Sequence, residues 1–151
     1  MAGLVYNSAE ELFHNGGLDW DTSTGIKVML VTSGYTPDAD HQYVSEVTPA
    51  SNELSGTGYT GGYGGSGRKA LSARAVTKDN ANNRVLMDDT ADVTWSAINA
   101  GTPAYAIVFR EVTSDALSPL IACVAINSPV ATNGGDYTLQ WDAKGLFYTQ
   151  E

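Results

Sequence analysis

The stretch GIKVMLVTS, residues 25–33, decides the fold class. In an extended chain successive side chains point to opposite faces, so Ile26, Val28 and Leu30 share one face and Lys27, Met29 and Val31 share the other. Apolar groups stand on both faces, and the reading is a central strand of a sheet at least partly covered on each side.

The same period of two recurs toward the C-terminus. PAYAIVFREV (103–112) sets Tyr105, Ile107 and Phe109 against Ala104, Ala106, Val108 and Arg110, and the aromatic face is expected to point inward. SPLIACVAIN (118–127) is apolar on both faces, whereas GDYTLQWD (135–142) alternates Tyr137, Leu139 and Trp141 with Thr138, Gln140 and Asp142, the pattern of a half-exposed strand. RKALSARAVT (68–77), NRVLMD (83–88) and ADVTW (91–95) read as shorter strands separated by the turn-rich DNANN and DDT. Asp142-Ala143-Lys144-Gly145 fits a hairpin loop with a left-handed Gly145, returning the chain as LFYT.

Toward the N-terminus one helix is expected over about residues 8–14. Ser8 has the chemistry of an N-cap, Glu11 stands three residues later as a capping box requires, and Asn15-Gly16-Gly17 supplies the stop. Two turns are marginal in isolation, so Leu12 and Phe13 are expected to dock the helix on the sheet. About eight or nine short strands without alternating helices define an all-β fold, an antiparallel β-sandwich or a jelly-roll-like barrel. The 151 residues form one expected domain, with no internal repeat.

Residues 34–67 break this rhythm. They hold one β-like stretch, QYVSEV, and end in ELSGTGYTGGYGGSG. Long irregular segments in compact domains are either functional or mobile. Tyr35, Tyr59 and Tyr63 in glycine-rich backbone offer contact area at modest entropy cost, and with Trp20 of the polar segment LDWDTST they are the candidate partner-binding residues. The plainer reading is a flexible surface loop. Trp95 and Trp141, in strand alternation, are expected to pack in the core.

Chemistry is sparsely represented. The glycines at 56, 58 and 61, and again at 62, 64 and 67, match G-x-G-x-x-G, but the strand-like RKALSARAVT follows where a dinucleotide site needs a helix. His14 and His41 are both expected at the surface, and they supply neither a catalytic base beside a nucleophile nor a zinc pair. Asp19/Asp21, Asp38/Asp40 and Asp88/Asp89 lack an EF-hand series and read as turn formers. Cys123, the single cysteine, reads as a buried small hydrophobe. No enzyme activity, cofactor or metal is expected. A net charge of −9 opposes binding to nucleic acid, and no apolar run approaches a membrane span or a secretory leader.

DWDTSTGIKVMLVTSGYTPDADHQYVSEVTPASNELSGTGYTGG, with the later ADVTWSA, AYAIVF, SPLIACVAI and GDYTLQWDAKGLF, resembles a group of small virion proteins of tailed bacteriophages. The likeness runs from Leu12 to about Tyr148, and NELSGTGYTGG is its most distinctive element; the extra YGGSG before Arg68 is a departure that lengthens the glycine-rich loop. The resemblance implies a non-enzymatic capsid decoration or cement protein, made in the host cytoplasm and carried on the outer surface of the virion. Its implied partner is the phage major capsid protein, with self-association as a dimer or trimer. A tail or fibre-associated module touching the host surface or its glycans is the alternative.

Overall fold

In the computed structural model, which describes residues 3–48 and 52–150, every strand pairing is antiparallel. The elements run β1 (Leu4–Val5), α1 (Asn7–His14), β2 (Ile26–Val31), α2 (Val44–Val47), β3 (Lys69–Ala70), β4 (Arg74–Asp79), β5 (Arg84–Asp89), β6 (Val93–Trp95), β7 (Tyr105–Arg110), β8 (Leu120–Ala125), β9 (Tyr137–Leu139) and β10 (Phe147–Gln150). A five-stranded sheet in the order β1-β8-β7-β2-β3 is joined by a three-stranded sheet, β10-β5-β4, and a two-stranded one, β6-β9. The fold is all-β with a short N-terminal helix, as the strand patterns indicate. The strand count exceeds expectation because the run 68–77 is split into β3 and β4 and because β1, only two residues long, is too short for a periodic signal.

The stretch that opened the sequence reading is central. β2 pairs with β7 along its whole length, from Ile26 opposite Arg110 to Val31 opposite Tyr105, and with β3 on the other edge. All of its side chains except Lys27 are buried. β7 departs from expectation, because Ala106, Ile107, Val108 and Phe109 are all buried, so both faces are covered rather than the aromatic one alone. β9 keeps the expected alternation, with Leu139 buried and Thr138 exposed. Trp95 is fully buried, Trp141 only partly. Cys123 is buried in β8, and desolvation pushes its thiol pKa up to about 12.

Three local expectations fail for tertiary reasons. Helix α1 starts at Asn7, and its N-cap is Tyr6, not Ser8. Tyr6 is wholly buried and its N–H donates to the Ile121 carbonyl, so sheet pairing of the preceding residue sets the helix start. The Ser8 hydroxyl is left buried without a partner instead of capping. QYVSEV becomes the single turn α2 rather than a strand: Val44 and Val47, at helical spacing, enter the core, and the Glu46 carboxylate turns back to accept the N–H groups of Gln42 and Tyr43. Finally, the turn at 142–145 forms with Gly145 at φ +88°, but no hairpin follows. β9 pairs with β6 and β10 with β5, so this turn carries the chain from one sheet to another.

Candidate interaction surface

The described part of residues 34–67 is anchored to the core through its apolar side chains. Five of these side chains are drawn into the core: Tyr35, Val44, Val47, Leu54 and Tyr59 are each 3% exposed or less. This corrects the sequence reading of three of the four candidate contact residues. Tyr59, 1% exposed, stacks near Trp95 at 6.2 Å and its hydroxyl accepts the Leu30 N–H of β2 at 2.9 Å. Burial, with the Glu53 carboxylate, holds its phenol above the ordinary value. Tyr35 shares a hydrogen bond with the Tyr6 hydroxyl at 3.0 Å and meets His41 Nδ1 at 2.9 Å, so His41 is tied inward rather than free at the surface. Trp20 is 2% exposed, packs edge-on to Phe147 and donates its indole N–H to the Asp88 carbonyl at 2.9 Å. His14 is at the surface as expected.

The glycines make this inward packing possible. A Cβ on Gly67 would stand 2.3 Å from the Tyr59 ring, and one on Gly56 would stand 2.4 Å from the Asn99 carbonyl oxygen. Backbone approaches this closely only where no side chain intervenes. At Gly56 and Gly67 the absent side chain serves packing, whereas at Gly62 and Gly64 it serves a left-handed backbone with open space around it.

Tyr63 alone of the four is exposed, at 52%, and its hydroxyl donates to the Val112 carbonyl at 2.9 Å. That bond ties the glycine-rich segment to the β7–β8 connection, residues 111–119. The connection is itself stapled. Buried Ser118 donates its hydroxyl to the Ser114 carbonyl at 2.7 Å and accepts the Val112 N–H at 3.1 Å, while Tyr43 bridges Pro119. Six large apolar side chains are exposed among the described residues, and four of them, Tyr43, Tyr63, Val112 and Leu117, lie on this connection or on the two segments bonded to it.

Beneath it lies a buried charge network. The Arg68 guanidinium, wholly buried, donates to Glu53 through Nε (3.0 Å) and Nη2 (2.7 Å) and to Asp115 through Nη1 (2.6 Å) and Nη2 (3.0 Å). Glu111 approaches Nη1 at 3.8 Å and is ion-paired with Lys27 of β2. Burial alone would lower the pKa of Arg68, but the Glu53 and Asp115 carboxylates outweigh it and raise it further. Two fork-like pairings fix the planar cation rigidly. Glu53 also accepts the Gly62 N–H at 3.0 Å, so one carboxylate holds both the glycine loop and the cation. Glu53, Arg68, Asp115 and Ser118 were not singled out from sequence. The signal available was faint: lone charges inside otherwise uncharged, glycine-rich or apolar surroundings.

The carboxylate pairs behave as turn formers where they are exposed. Asp19 accepts the Thr22 N–H and Asp38 the Asp40 N–H, whereas Asp89 is buried and accepts the Ala73 N–H. Among the described residues no group of three or more His, Cys, Asp or Glu side chains is placed to hold a metal ion, and no helix is long and apolar enough to cross a membrane. No protein-family model, curated protein or solved structure matches this chain.

Proposed function

We propose that this protein is a non-enzymatic virion component of a tailed bacteriophage, a capsid decoration or cement protein that binds the assembled major capsid protein on the outer surface of the shell. The observation that carries this reading is a set of exposed apolar side chains, Val112 and Leu117 on the stapled 111–119 connection and Tyr43 and Tyr63 on the two segments bonded to it. A partner-binding surface needs apolar anchors held in place before contact, since ordering them at contact would cost affinity. The resemblance of NELSGTGYTGG and the strand segments to small phage virion proteins supplies the setting. Binding only the assembled lattice stabilises it by mass action, with no bond made or broken. Association of copies as a dimer or trimer about a lattice symmetry axis fits the same scheme.

The test is decoration of particles. Wild-type protein is expected on purified particles at hundreds of copies, whereas Tyr63→Ser/Leu117→Ser, folded by circular dichroism, is expected to bind shells roughly a hundredfold more weakly. Absence from purified particles, or undiminished decoration by the double variant, would overturn the reading.

A further inference from the structure

Among the described residues β4 differs from every other strand that ends a sheet. β1 and β3, at the edges of the five-stranded sheet, have two residues each, β6 and β9 three and β10 four. β4, the outer strand of β10-β5-β4, has six and is paired on one side only. We propose that the free edge of β4 receives an extended segment of a partner protein as an added antiparallel strand, and that this segment carries an apolar residue between two acidic ones, in the pattern acid-x-apolar-x-acid.

The backbone supplies the first reason. The Thr90 N–H donates to the Ala73 carbonyl, one step beyond the Arg74–Asp89 pair. Antiparallel ladders alternate hydrogen-bonded with non-hydrogen-bonded pairs, so Ala75, Thr77 and Asp79 turn their N–H and C=O groups toward β5, while Arg74, Val76 and Lys78 turn theirs outward. No other described segment bonds to these outward groups. Such a row is a template for another strand, and natural edges are commonly kept short, bulged or interrupted by proline. β4 has no proline and keeps an unbroken register with β5.

The side chains select the strand that fits. Arg74, Val76 and Lys78 share one face, while Asp79 points to the other and is bonded to Arg84. Val76 stands opposite Met87, and Met87 opposite Phe147. This apolar row is 0% exposed at Phe147, 7% at Met87 and 46% at Val76, where it stops at the free edge. An apolar residue opposite Val76 continues the row and covers it. The flanking positions are basic in a chain of net charge −9. Lys78 is exposed and has no ion-pair partner among the described residues; Arg74 gives Nη1 to the Trp20 carbonyl, and its other donors bond to no described residue. Opposite charges facing each other across strands stabilise a pair and like charges destabilise it, so acidic residues suit both flanks. A second copy does not fit. The one antiparallel register in which all three outward residues meet their counterparts sets Val76 against Val76 and each Arg74 against a Lys78. Basic residues on this edge therefore oppose self-pairing and admit a strand of opposite charge.

The experiment titrates the 15N-labelled full chain with two capped peptides, Ac-STETVTETS-NH2 and Ac-STKTVTKTS-NH2, and follows the amides of β4. The acidic peptide is expected to shift the Arg74, Val76 and Lys78 amides saturably, to slow their hydrogen exchange, and to bind roughly tenfold more tightly than the lysine peptide. Lys78→Glu is expected to erase that preference. Val76→Pro removes an outward N–H while leaving the β4–β5 hydrogen bonds in place, and is expected to abolish binding. Because the primary readout is on the unmodified chain, a variant that folds poorly does not blunt it. Unmoved β4 amides at millimolar acidic peptide, or equal binding of the two peptides, would overturn the proposal. So would protection of the outward amides that grows with protein concentration in the absence of peptide, which would assign the edge to a second copy. None of these results bears on decoration through Tyr63, which the particle assay reads separately.

Discussion

Arg68 and Glu53 face each other in a side-on, doubly hydrogen-bonded pair with the guanidinium wholly shielded from solvent, and Asp115 takes the adjacent edge of the same cation through Nη1 and the shared Nη2. This relationship joins three segments distant in sequence: the glycine-rich stretch, the lead into β3, and the β7–β8 connection. It is the base on which the proposed contact surface rests.

Removing Arg68 leaves two carboxylates facing each other under cover. Arg68→Ala is expected to lose ~3–5 kcal/mol of stability in chemical denaturation. A cycle with Glu53→Ala should give a coupling energy above ~1 kcal/mol, beyond the ~0–1 kcal/mol of surface pairs. Coupling below that, or coupling abolished by added salt, would place the pair in solvent.

Tyr59 acts as a pillar between the glycine-rich segment and β2. Tyr59→Phe removes the acceptor of the buried Leu30 N–H and is expected to cost ~1–3 kcal/mol. Gly67→Ala places a methyl against the Tyr59 ring and is expected to cost a comparable ~1–3 kcal/mol by overpacking. A flexible-loop reading predicts near-zero change for both, so equilibrium unfolding discriminates directly.

Two carboxylates give stability opposite pH dependences. Hydrogen bonds from the Tyr43 and Gln42 N–H groups hold Glu46 below its ordinary 4.5, so its contribution is complete above that pH and is lost as pH falls through the lowered folded value. Burial, with the Asp89 charge, raises Asp88 above 3.8; its contribution is complete below 3.8 and lost as pH rises through the raised value. Asp88→Asn is therefore expected to raise the thermal midpoint by about 2 °C at neutral pH and to leave it unchanged in acid. Glu46→Gln should lower the midpoint at neutral pH with little effect in acid. Scanning calorimetry across the acid range checks both signs.

The β-rich character of the chain was legible because strand alternation is a local property. GIKVMLVTS, SPLIACVAIN and GDYTLQWD each carry their burial pattern in residues two apart, and β2, β8 and β9 follow it. Helix starts and turn outcomes were less legible. Tyr6 displaced Ser8 as the cap because its backbone was already committed to the sheet, and the turn at Gly145 could not announce that its flanking strands would pair elsewhere.

By itself the sequence determined the class of fold, the central place of β2, the burial of Cys123 and the conformational demand at Gly145. The tertiary structure alone decided which tyrosines are surface and which are core. Glycine-rich backbone is compatible with mobility and with close packing, and the choice depends on whether an aromatic ring elsewhere needs the space. Here the Tyr59 ring lies where a Gly67 side chain would be, Tyr35 meets Tyr6, and Trp20 meets Phe147, leaving Tyr63 as the exposed one of the four candidate contact residues. The Arg68 network was equally hidden. Its members stand 15 and 47 positions apart, and only the folded chain places those charges within hydrogen-bonding reach.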